Sequence, residues 1–94
     1  MKELDKIKRE IIETSQSYKP REIWLFGSLL EDFDKARDID IGISGVDKDF
    51  FRLAGRLIGV LKKYGKKVDV IPLDWLWEKE VFMKEVRKGI RLYG

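Results

Sequence analysis

The sequence has no cysteine and no histidine, and only two of its 94 residues are proline. Without cysteine there is no disulfide framework, no thiolate zinc site and no thiol nucleophile. Without histidine there is no imidazole base, no imidazole metal ligand and no catalytic triad of the usual kind. Any metal must therefore sit on oxygen ligands. No apolar run approaches the roughly 20 residues that a membrane-spanning helix needs. The opening stretch MKELDKIKREIIE is charged throughout, unlike a signal peptide, so the expected location is cytoplasmic.

What is present suits one small folded domain spanning 1–94. Hydrophobic residues make up 44% of the chain, which excludes a disordered tail. Charged residues reach 39%, against about 25% in an average domain. The net charge of +3 hides an asymmetry: residues 1–47 carry 8 basic and 11 acidic side chains, residues 48–94 carry 12 and 6. Such polarisation suits a phosphate-bearing ligand or an acidic partner, or simply a solvated lysine-rich surface.

Leu4, Ile7, Ile11 and Ile12 fall at helical spacing, which predicts an amphipathic helix over roughly 2–17. Residues 22–26, Glu-Ile-Trp-Leu-Phe, predict a buried strand that ends at Gly27. Gly27-Ser28 reads as a strand-to-helix turn, with Ser28 as a candidate N-cap, and the polar stretch 31–37 as a loop. Residues 38–43 alternate strictly, so Ile39, Ile41 and Ile43 share one face of a strand while Asp38, Asp40 and Gly42 share the other. A long helix follows over about 48–64, capped by Asp47 and closed by Gly65. Gly55 and Gly59 are expected to let it pack closely on the sheet. A third strand over 67–71, a helix over 75–88 and a short segment Ile90–Tyr93 complete the chain. Interleaved strands and helices predict an α/β (α+β) fold, a small mixed sheet with helices packed on one face.

Two aspartates on one face of a strand are unusual, because aspartate is depleted in strands. Alone they can be incidental solvent-facing acids. Asp69 strengthens the case: Val68 and Val70 take the core face, which turns Asp69 to the open one. If the strands 38–43 and 67–71 are neighbours, three carboxylates meet there. Close carboxylates repel unless a cation or a proton intervenes, and a hard divalent ion such as Mg²⁺ suits them. Such a trio can hold two cations for in-line phosphoryl transfer, with Asp69 as a ligand to one of them or as the base. Gly27-Ser28 can offer close backbone approach and N–H groups to phosphate, or be an ordinary turn. Arg37 can reach phosphate or pair with Glu31 or Asp34. Trp75 and Trp77, with Leu73, Leu76, Val81 and Phe82, read as packing residues rather than a stacking platform. The lysines at 62, 63, 66 and 67 read as cations at a helix C-terminus.

The string Gly27-Ser28, nine residues, Asp38-Ile39-Asp40, then Val68-Asp69-Val70 resembles the nucleotidyltransferase superfamily of DNA polymerase beta. More narrowly it is similar to the minimal nucleotidyltransferases (MNT) encoded beside HEPN-domain partners. The resemblance covers nearly the whole chain. It implies Mg²⁺-dependent transfer of AMP from ATP to a hydroxyl of a HEPN toxin, with the MNT protein as antitoxin. By that resemblance Gly27 and Ser28 hold the triphosphate, Asp38 and Asp40 bind two metal ions, and Asp69 is the third catalytic carboxylate. Three features depart from the family pattern, the first being a spacing from Gly-Ser to the first aspartate one residue shorter than expected. The loop Leu29-Leu30-Glu31 lacks the arginine many relatives carry after Gly-Ser, and Arg37 stands where serine or threonine is common before the first aspartate. They favour an alternative, an antitoxin that blocks its partner sterically without transfer. Nucleic acid and membrane are not expected partners, and homo-oligomerisation stays open.

Overall fold

The strand Glu22–Phe26 (β1) alternates as the sequence requires: Ile23 and Leu25 are fully buried on one face, while Trp24 and Phe26 point to the other. In the computed structural model, which describes residues 2–94, β1 lies inside a four-stranded sheet. Its partners are Asp38–Ser44 (β2) and Ile90–Tyr93 (β4), both antiparallel to it. Lys67–Pro72 (β3) lies parallel to β2 at the opposite edge, which gives the order β3-β2-β1-β4. Pro72 causes no conflict there, because β3 is an edge strand.

Two helices cover one face. Lys2–Ser15 (α1) presents Ile7 and Ile11, and Phe50–Leu61 (α2) presents Leu53, Leu57 and Leu61. These side chains meet Ile23, Leu25, Ile39, Ile41 and Ile43 in one core in which each is at most 1% exposed. Each such burial contributes roughly 1.5–3 kcal/mol before chain entropy is charged against it. Glu10 on α1 accepts hydrogen bonds from Lys63 Nζ and Tyr64 Oη just beyond α2, tying the two helices at one end. Those bonds hold the Glu10 carboxyl below its ordinary value.

The third helix, Glu80–Arg87 (α3), lies against the opposite face of the sheet. There Met83 and Val86 join Phe26 and Leu73 in a smaller cluster, with Trp24, Ile71 and Phe82 at its edge. Phe26 and Phe82 meet edge to face, 6.0 Å apart. The helix expected over 75–88 begins only at Glu80, after one tight turn at Leu73–Trp75. At about 100° per residue, Leu73 and Phe82 would fall on opposite sides of a continuous helix, so a break is what lets both face the sheet. The segment Ile90–Tyr93 extends that sheet as an edge strand.

Three local expectations are corrected. Asp47 does not cap α2: it takes a left-handed backbone (φ 48°) at the start of a tight turn, and Asp49 precedes the helix without a side-chain capping bond. Ser28 is the first residue of a tight turn, with Gly27 in the cap position. Gly55 and Gly59 do not pack on the sheet; both are exposed, and a Cβ at either would meet nothing within 4 Å.

Those two glycines therefore weaken α2 without a packing gain. Gly55→Ala and Gly59→Ala should each raise stability by about 0.5–1 kcal/mol, read from urea midpoints at unchanged slope. A loss of stability would mean that this face is occupied.

Candidate functional site

The parallel pairing of β2 with β3 brings the sequence-separated acids together. In that register Asp40 lies beside Asp69, and Asp38 beside Lys67. Because side chains alternate, Ile39, Ile41, Val68 and Val70 pack toward the main core while all three aspartates turn to the other face, each half-buried. Lys67 Nζ lies 3.7 Å from Asp69 Oδ1 and is itself well exposed. It offsets little of the accumulated negative charge.

Asp40 feels that charge most. Its carboxyl is raised above the ordinary aspartate value, first by burial, then by the charges of Asp69 and Asp38, then by a hydrogen bond with Asp69; Lys67 pulls weakly the other way. The carboxylates are adjacent but not drawn into a finished metal cage. Among the described residues no three acidic side chains form a ready metal-binding group.

Gly27 ends β1 directly beside Asp40. Its backbone (φ 88°, ψ −164°) belongs to a region that glycine alone occupies readily. A Cβ placed there would overlap Asp40 Oδ2. Conformation and space thus both demand glycine at this position. The turn after it runs Ser28–Leu30, with the N–H groups of Glu31 and Asp32 donating to the Ser28 carbonyl. Ser28, Arg37 and Asp38 line one groove of about 360 Å³, and Glu31 and Asp32 line it too. Arg37 is exposed and, among the described residues, pairs with neither Glu31 nor Asp34.

Lys66 carries a role that its place in a lysine run conceals. Its Nζ donates to the carbonyls of Phe33 (2.7 Å) and Ala36 (2.6 Å) and sits 4.7 Å from the Phe33 ring centroid. The Lys67 N–H donates to the Arg37 carbonyl at 2.8 Å. Together they hold the 31–37 loop against the start of β3. A charged donor serving two carbonyls is worth more than a neutral one. The only sequence signal is a lysine pair next to a strand. Of the tryptophans, Trp75 is 62% exposed yet packs against Phe50 and Phe51, ring centroids 5.9 and 5.7 Å away, whereas Trp77 is 67% exposed; Leu73 is buried.

Two expected outcomes follow from this geometry. The folded protein holds the Asp40 proton more tightly than the unfolded chain. Stability linked to Asp40 therefore falls as pH rises through the window above 3.8, the ordinary value, and stays low beyond the raised one. Without divalent cations, Asp40→Asn should melt higher than the parent at neutral pH, and the gap should close at pH below 3.8; thermal melts in a chelator across that range check it. Gly27→Ala should lose about 1–2 kcal/mol through its left-handed backbone alone. Combined with Asp40→Ala in a double-mutant cycle, it should show coupling of about 0.5 kcal/mol or more, whereas strict additivity would mean the carboxylate does not rest on Gly27.

The chain is similar to three solved toxin–antitoxin structures. A chain of the MntA–HepT toxin–antitoxin complex superposes with a TM-score of 0.67 at 25% identity, covering 96% of this chain and 72% of that one. A toxin–antitoxin structure with AMP-PNP gives 0.71 at 26%, covering 93% and 73%. The complex of a tri-AMPylated Shewanella oneidensis HEPN toxin with its MNT antitoxin gives 0.68 at 26%, covering 100% and 73%. No curated protein matches significantly. Residues 9–94 match the family described as polymerase beta, nucleotidyltransferase, and the chain belongs to that family.

Proposed function

We propose that this protein is the antitoxin of a cytoplasmic toxin–antitoxin pair and transfers AMP from ATP to a hydroxyl of a HEPN-domain partner. One observation carries the reading: the β2–β3 register sets Asp40 beside Asp69, with Gly27 closed against the Asp40 carboxylate. Similarity to a complex with AMP-PNP supports a nucleotide substrate, and similarity to HEPN complexes supports the partner.

The donor set fits Mg²⁺ in its chemistry. It is all oxygen, and it gathers negative charge that Lys67 barely offsets. Asp38, Asp40 and Asp69 would hold the ions. Bound there, Mg²⁺ acidifies the attacking hydroxyl and neutralises charge on the leaving pyrophosphate. The turn after Gly27 and the Ser28 hydroxyl hold the triphosphate, and Arg37 reaches it along the shared groove. The acceptor oxygen bonds to the α-phosphorus as the bond to the bridging oxygen breaks. Pyrophosphate leaves, and Asp69 takes the hydroxyl proton.

A second reading has its own observation. Glu31, Asp32 and Asp38 line the groove against the two cations Lys35 and Arg37, so its acids outnumber its cations and oppose a triphosphate there. That favours an antitoxin that blocks its partner by shape alone.

Asp38→Asn combined with Asp40→Asn separates the two. Charge stabilisation at the transferred phosphate is lost, so transfer should fall by orders of magnitude. The variant should fail to neutralise the HEPN partner. Intact-mass measurement should find added nucleoside monophosphate on that partner only with the parent protein, Mg²⁺ and ATP. Full neutralisation by the variant, with no mass gain in either case, would leave the steric reading alone.

A further inference from the structure

The face of the sheet that α3 and Leu73 partly cover holds a second cleft, at the other end of β2 from the carboxylates. It encloses about 290 Å³ beside Ser44, and Leu73 and Met83 form its apolar lining. Leu73 also divides the face: it packs on Gly42 so tightly that a Cβ there would lie 2.9 Å from Leu73 Cδ2. Trp24 and Trp77 supply aromatic walls, and Arg21, Arg87 and Arg91 stand at the rim.

The charges in this cleft are unevenly satisfied. Its two acids are already engaged within the fold. Glu22 accepts from Trp24 Nε1 at 2.7 Å. Asp74 accepts from the Gly45 N–H at 2.7 Å and lies 3.8 Å from the Arg21 guanidinium. Among the described residues, neither Arg87 nor Arg91 forms an ion pair. Arg91 instead lies over the Trp24 ring, 5.9 Å from its centroid, and is exposed to solvent.

A mainly polar cleft with two tryptophans in its wall and unpaired arginines at its mouth suits a segment rich in carboxylates. We propose that this cleft docks an acidic segment of the acceptor protein. This rests on the transfer reading given above. Four residues of strand separate Asp40 from Ser44, about 13 Å at 3.3 Å per residue. An acceptor protein that reaches the aspartates along this face would cover the cleft as well. Arginine at such a rim recognises carboxylate pairs in a fixed geometry, which lysine does less well.

The test uses the full chain and a synthetic peptide of repeating Glu-Glu-Leu-Tyr, followed by tryptophan fluorescence. Saturable binding is expected, weakening as salt rises. Arg87→Glu combined with Arg91→Glu should weaken it by about tenfold or more. Trp77→Ala, a change at an exposed side chain, should weaken it without altering the melting temperature. Asp40→Asn should bind the peptide as the parent does, so a failure of transfer chemistry and a failure of docking read out separately. The proposal is overturned if the peptide does not bind, or if the Arg87/Arg91 variant binds it equally. It is equally overturned if a Lys-Lys-Leu-Tyr repeat or oligouridine RNA binds better, or if Mg²⁺–ATP displaces the peptide.

Discussion

Three carboxylates on two adjoining strands repel one another, and the strands stay paired only because their other faces are buried. Ile39, Ile41, Val68 and Val70 sit opposite the acids and pack with α1, α2 and β1. A slip of one residue in either strand would exchange apolar and acidic faces. Removing those side chains from water far outweighs the repulsion of half-exposed charges, so the core enforces a strained arrangement of charge on its reverse side. The raised proton affinity of Asp40 comes first from its burial and then from that repulsion. A proton or a nearby positive charge relieves it.

The neighbours of the acids serve the same constraint. Gly27 gives up a side chain so that the Asp40 carboxylate has somewhere to lie, and its unusual backbone turns the chain toward Ser28 at that point. Lys66 then anchors the loop leading back into β2 through two carbonyls. Neither residue needs to touch a substrate to matter. Each removes a freedom that would let the carboxylates move apart.

Period-two alternation makes the aspartate face legible in the sequence, because 38–43 obeys it throughout and 67–70 does until Ile71 breaks it. The adjacency of those strands is a condition that sequence can state and not decide. Helix spans are legible where an apolar stripe runs at one period, as in α1 and α2. They fail at 75–79, where two apolar sets belong to a single cluster but not to one helix. Gly55 and Gly59 mislead because spacing alone does not say which side of a helix faces the sheet. Lys66 is invisible because its partners are backbone carbonyls, which carry no sequence signature. The exposed Trp77 reads as a packing residue because aromatics usually are.

Charge along the chain also changes meaning once folded. The first half is acidic and the second basic, which suggests two oppositely charged lobes. The sheet cuts across that division instead. Asp69 from the basic half joins Asp38 and Asp40, while Arg21 from the acidic half joins Arg87 and Arg91. One face therefore carries negative charge at one end of β2 and positive charge at the other, with Leu73 between them. A net charge of +3 says nothing of this. A face so polarised gives an approaching molecule one favoured orientation rather than two. An acidic segment settles at the arginines, and whatever it carries is turned toward the aspartates. The same arrangement keeps those acidic residues away from Asp38, Asp40 and Asp69, whose negative charge would repel them.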